Sequence, residues 1–300
     1  MEVDDRRTRP GRGEGVGDDL VGRHGDAGLP VPAPRSVQRC FEPDVHPGII
    51  GVVAATLPLH SGAGATREPR KGRPRPHRLA RFWTAALGAE PITTEPDLVE
   101  ARLRIGDDLF LDLCFPRVTA PSDAPARLHP DLAGGARPQD VVRRLLDLGA
   151  EPADIGQGDV PWTVLTDPEG NAFCVLAEHE RDTGPIAALP LDSADPGRDA
   201  AFWAGITGWV PAGATALRHP SGVGPLLQLW PEPEPKRGKN RLHLDVRPDA
   251  GDGDVVDRVL RSGGTTSGAP SDHPWRVCAD PSGNEFCVLS MAQGGERVRP

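Results

Sequence analysis

Two histidines, two cysteines and two tryptophans stand at matched places in a sequence that repeats itself, and their side chains offer the most chemistry. His129 lies in RLHPD and His243 in RLHLD, while Cys174 and Cys287 each lie in an FCVL run. Trp162 and Trp275 each follow a proline, twelve positions before the cysteine of the same copy. Imidazole and thiolate are ligands for zinc or iron, and an indole at a strand start can stack on a planar ligand or fill a core. The plainer readings are a thiol acting as a small hydrophobe in an apolar run and a histidine capping a strand. For the cysteines and histidines these are the default; for Trp162 and Trp275 both readings stay open. No Ser/His/Asp constellation, GxGxxG fingerprint or Walker-type loop occurs, so hydrolase and nucleotide-binding readings have no support.

Three blocks recur in the same order and supply the elements that must hold these residues. ARFWTAALGAEP (80–91) returns as AAFWAGITGWVP (200–211), an amphipathic helix with a Phe-Trp pair facing a core and Gly88 or Gly208 at its end. Trp83 and Trp203 are read as helix-to-sheet packing. The RLHPD block (127–152) returns as the RLHLD block (241–266), a short strand followed by a helix with apolar residues at Val141, Val142, Leu145, Leu146 and Leu148. VPWTVLTDPEGNAFCVLA (160–177) returns as HPWRVCADPSGNEFCVLS (273–290), two strands joined by Asp-Pro-x-Gly-Asn, in which proline presets φ and Gly170 or Gly283 supplies a positive φ. Alternation in DLFLDLCF (108–115) and PLLQLW (225–230) adds further strands, so each copy reads as βαβββ written twice. Ile186–Asp192 (IAALPLD) opens the second copy. The first copy has no adjacent counterpart; ATLPLH (55–60) echoes it across an insertion at 61–76, and a misplaced gene start is the other explanation.

The chain has 300 residues with 34 basic and 43 acidic side chains, a net charge of −9 that disfavours nucleic acid and anionic membranes as partners. The basic run 66–81 has no interleaved aromatic residue and reads as a solvated linker. Its longest apolar stretch, 48–59, is shorter than the about 20 residues a spanning helix needs. Five cysteines without a CxxC pair suit a reducing cytoplasm. Residues 1–48, rich in Gly, Pro, Arg and Asp, are expected to be a disordered extension, followed by domains at 49–178 and 185–291 and a tail at 292–300.

The Phe-Trp helix, RLHxD and DPxGNxFCVL, arranged as paired βαβββ modules over about 77–291, resemble the glyoxalase-like branch of the vicinal oxygen chelate superfamily, which includes bleomycin-resistance-like folds. The resemblance implies an α+β fold of two tandem domains, paired within the chain as a monomer, each curving its sheet around a cup for a small molecule. It also implies that ligands for a divalent metal come from the first and last strands of each module. Carried over, those positions hold Asp112, His129 and Cys174 in the first domain, a set that could take zinc, nickel or iron. The second domain offers Gln228, His243 and Cys287; the fourth positions, Thr56 in the first domain and Ala188 in the second, are not good ligands. These incomplete sets favour small-molecule binding by Trp162, His129, Trp275, His243 and Gln228, with no catalytic residue assignable. The alternative is a metal-dependent lyase, isomerase or dioxygenase acting on vicinal oxygens. The expectation is far less than one metal ion per chain, held in the first domain if anywhere, and no turnover of the methylglyoxal–glutathione hemithioacetal.

Overall fold

The computed structural model describes residues 50–54, 76–106, 109–118, 124–248, 254–266 and 275–289. Four βαβββ modules follow one another. The first holds β1 (Ile50–Ala54), α1 (Pro76–Leu87), β2 (Glu90–Glu95), β3 (Leu98–Ile105) and β4 (Leu109–Pro116). The second holds β5 (Asp131–Ala133), α2 (Pro138–Leu148), β6 (Glu151–Pro152), β7 (Thr163–Thr166) and β8 (Ala172–Leu176). The second repeat opens with β9 (Ile186–Ser193), α3 (Pro196–Thr207), β10 (Val210–Pro211), β11 (Ala216–Arg218) and β12 (Leu226–Pro231). It closes with β13 (Leu242–Val246), α4 (Val255–Arg261), β14 (Thr265–Thr266), β15 (Trp275–Ala279) and β16 (Glu285–Leu289). The α+β class and the repeated βαβββ pattern are as the sequence blocks imply.

The modules do not pair within their own repeat. One eight-stranded sheet runs β14-β15-β16-β13-β1-β4-β3-β2 and the other β10-β11-β12-β9-β5-β8-β7-β6. Each sheet therefore joins the first module of one repeat to the second module of the other. The seams are β1 against β13, antiparallel over five residue pairs, and β9 against β5. The opening strand of the first repeat is IGVVA, just upstream of the expected ATLPLH, which lies outside the described residues. A run of isoleucine and valine suits a strand better than the leucine-proline echo that suggested 55–60.

Helix ends and turns follow the sequence signals. Gly208 caps α3 at φ 72°, while Gly170 and Gly283 take φ of 82° and 83° in the Asp-Pro-x-Gly-Asn turns. The repeated motifs then lock together inside each repeat. Trp83 Nε1 donates to Asp167 Oδ2 at 3.1 Å and Trp203 Nε1 to Asp280 Oδ2 at 3.3 Å, and the rings pack on Phe173 and Phe286. Between repeats, the arginine of each RLH block reaches the turn of the other copy. Buried Arg127 donates from Nε to Asn284 Oδ1 at 2.9 Å, and Arg241 donates to the Glu169 carbonyl at 3.4 Å.

Asp280 accepts from Trp203, Asn284 and the backbone N–H of Ser282, yet burial outweighs these bonds and pushes its carboxyl up to about 6. A folded-state value above that of an unfolded aspartate means that the native state holds the extra proton between about pH 4 and 6. This group's contribution is complete below about pH 4 and is lost as pH rises through 6. Asp280→Asn should flatten the thermal midpoint's fall across that window, and should lower the midpoint at pH 4 because an amide NH2 then faces the Trp203 and Asn284 donors. A midpoint–pH curve parallel to the wild type would refute the assignment.

Candidate functional site

The RLHxD block places two donors on one face of a strand because side chains alternate at a period of two. In β13, Leu242, Leu244 and Val246 are buried in the core while His243 and Asp245 turn to the opposite face. Parallel pairing sets Asp245 beside Cys287 of β16. His243 Nε2 then lies 3.3 Å from Asp245 Oδ1 and 3.5 Å from Cys287 Sγ. The other sheet repeats the cluster. Asp131 pairs with Cys174, and His129 Nε2 lies 3.4 Å from Asp131 Oδ1. In both trios the imidazole, carboxylate and thiol donor atoms all fall within 4.8 Å of one another.

Asp131 and Asp245 are absent from the set the sequence suggested, although the repeated His-x-Asp was visible; the position-by-position carry-over took one residue per strand and passed over its i+2 neighbour. The set also changes in a second way. Asp112 does not join His129 and Cys174, because β4 belongs to the sheet that carries β13 and β16. It lies in the cup of His243, Asp245 and Cys287. There its carboxylate takes two bonds from Arg102, Nε at 2.8 Å and Nη2 at 3.0 Å, and a longer one from Arg247 at 3.4 Å. Two guanidiniums thus already compensate its charge. Gln228 is exchanged in the opposite sense: its strand β12 shares a sheet with β5, which begins just after His129, and its Oε1 accepts from Trp230 Nε1 at 3.3 Å. Ala188 is buried in β9, and Thr56 lies outside the described residues.

A cavity of about 280 Å3 opens over the first sheet. Leu98, Leu113, Trp275, Val277, Phe286 and Leu289 provide its apolar wall, and Glu100, Asp112, His243, Asp245, Arg247 and Cys287 its polar part. Trp275, at the start of β15, is half-buried and lines this space. Trp162, half-buried ahead of β7, belongs to the other sheet's side of the molecule.

The thiols are not nucleophiles as they stand. Burial, followed by the charge of Asp131, pushes Cys174 up to about 12, and burial, followed by the charge of Asp245, likewise raises Cys287. Each trio nevertheless suits a divalent cation. It combines borderline nitrogen, hard oxygen and soft sulfur, with the imidazole and the thiol both turned toward the aspartate. His129, Asp131 and Cys174, or His243, Asp245 and Cys287, would hold the ion, which would supply Lewis acidity and favour the thiolate.

The sequence pattern of the Glyoxalase-like domain matches residues 70–176 and again 188–289, most of the chain. The chain belongs to the Glyoxalase-like domain family. This glyoxalase-like chain thus carries the family unit twice in tandem, within the vicinal oxygen chelate superfamily. Among solved structures it is similar to glyoxalase I from Zea mays, at 14% identity and a TM-score of 0.50, covering 81% of this chain and 93% of that one. It is also similar to a putative dioxygenase from Bacillus subtilis subsp. subtilis str. 168, at 12% identity and a TM-score of 0.50, covering 83% and 87%. At such identities these likenesses speak for the fold alone. No curated protein sequence matches the glyoxalase-like chain. Among the described residues no helix is long and apolar enough to cross a membrane.

Proposed function

We propose that this chain binds a small molecule with a flat apolar body and a polar end in the cup of the first sheet, as a monomer in the cytoplasm. The cavity carries this reading: apolar walls with a few convergent polar groups are what a ligand site requires, and about 280 Å3 suits a compact ligand. The monomer is supported by the seams, which pair β1 with β13 and β9 with β5 inside one chain. A reducing compartment is supported by free thiols at Cys114, Cys174, Cys278 and Cys287. The second reading, a metal-dependent lyase, isomerase or dioxygenase, is favoured by the His-Asp-Cys trios, because Lewis acidity beside the cavity could act on paired oxygens.

Trp275 is the test residue, since it lines the cavity through a ring that can stack on a planar guest. With the fluorophore 1-anilinonaphthalene-8-sulfonate as probe, saturable enhancement is expected for the folded protein, weakened up to about tenfold by Trp275→Ala. Trp162→Ala should leave it unchanged. Equal weakening by both variants, or by Trp162→Ala alone, would place the site elsewhere.

A further inference from the structure

We infer that the cup of the first sheet selects an aromatic acid, with Trp275 stacking on its ring and the Arg247 guanidinium holding its carboxylate. The inference rests on the small-molecule reading of this cavity and deepens it by naming the polar end of the ligand as an anion.

Register places the two residues at one end of the cup. Trp275 of β15 pairs with Leu289 of β16, and Val288 pairs with Val246 of β13, so Arg247, one residue on, falls beside Leu289. All three line the cavity. Trp275 and Arg247 are then two strand spacings apart, about 10 Å, the length of a two-ring aromatic acid. Leu289 lies between them as an apolar floor. An indole on one side suits a flat ring, and a planar guanidinium on the other can hold a carboxylate through two parallel hydrogen bonds.

The charges around Arg247 favour such a guest. Its contact with Asp112 is long, 3.4 Å from Nη2, whereas Arg102 holds the same carboxylate by bonds of 2.8 and 3.0 Å. Asp112 therefore keeps its main partner when Arg247 turns to a ligand. The other acidic groups of the cup have neighbours of their own: His243 faces Asp245 at 3.3 Å, and Lys236 pairs with Glu285 at 2.7 Å. Glu100 pairs with Cys114, on the His243 side of Asp112 and away from Arg247. Lys239 also lines the cavity, but it precedes β13 and stands at the opposite end of that strand from Arg247, away from Trp275. With 14% of its side chain exposed, Arg247 is sheltered enough that a charge-assisted bond is little screened. The other cup has no equivalent: four residues after His243 stands Arg247, and four after His129 stands Ala133.

The test uses the intact chain, the uncharged fluorophore N-phenyl-1-naphthylamine as reporter, and two competitors of one shape, 2-naphthoate and 2-naphthamide. The acid should displace the reporter at least about tenfold more effectively than the amide, as a charge-assisted hydrogen bond would give. Arg247→Gln should bring the two within about twofold of each other while displacement by the amide stays unchanged. Arg247→Lys, which keeps the charge without the fork, should fall between. Arg143→Gln, exposed on α2, should alter neither competitor. Equal displacement by acid and amide in the wild type overturns the inference and leaves the small-molecule reading standing, whereas a reporter that does not bind overturns both. A preference kept in Arg247→Gln but lost in Lys239→Gln overturns the assignment to Arg247. If far-ultraviolet dichroism shows that Arg247→Gln does not fold, the wild-type ratio and Arg247→Lys decide.

Discussion

Removing Met1–Arg75 should leave a chain without a cooperative unfolding transition, whereas removing only Met1–Pro47 should leave the thermal midpoint unchanged. The difference lies in β1. Ile50–Ala54 is an interior strand, five residue pairs deep against β13 on one side and bonded to β4 on the other. Each ladder hydrogen bond is worth about 0.5–1.5 kcal/mol net, and total stability is commonly about 5–15 kcal/mol. Losing the strand also strips donors and acceptors from two neighbours and parts the sheet into β14-β15-β16-β13 and β4-β3-β2. Differential scanning calorimetry of the two truncations decides the matter. A sharp transition in the longer deletion would mean that the strand is dispensable, and loss of folding in the shorter one that residues before Gly48 pack on the domains.

The isolated second repeat, residues 185–291, should not fold as a monomer. Its first module pairs in the intact chain with β5 and its second with β1, so both seams are left open when the first repeat is removed. Arg127 would be missing from the Asn284 turn and Glu169 from Arg241. Two copies can close both seams by pairing β9 of each with β13 of the other, the symmetric arrangement that the repeats imitate within one chain. Sedimentation should therefore show a dimer, or an unfolded chain at low concentration. A stable monomer with a sharp transition would show that β9 and β13 pair within one repeat. That outcome would also remove the argument for a monomeric full-length chain.

Much of this was legible in the letters. Internal repetition, helix and strand periodicity and the Asp-Pro-x-Gly-Asn turns determine four βαβββ modules, because such signals are local: each depends on residues within a few positions of one another. The Phe-Trp pairs read correctly as packing, since an aromatic stripe at helical spacing has to meet a sheet. The family followed from the same motifs.

Which module faces which was decided only by the tertiary structure. Two repeats offer equivalent edges, and no local pattern distinguishes β1 against β13 from β1 against β5, so Asp112 and Gln228 were assigned to the wrong partners. The aspartates of His-x-Asp gained meaning once parallel register brought Cys174 and Cys287 beside them. Burial decided the rest: the same carboxylate or thiol is an ordinary surface group in water, and only its surroundings make Asp280 hold a proton to about pH 6 or Cys174 keep its proton to about 12.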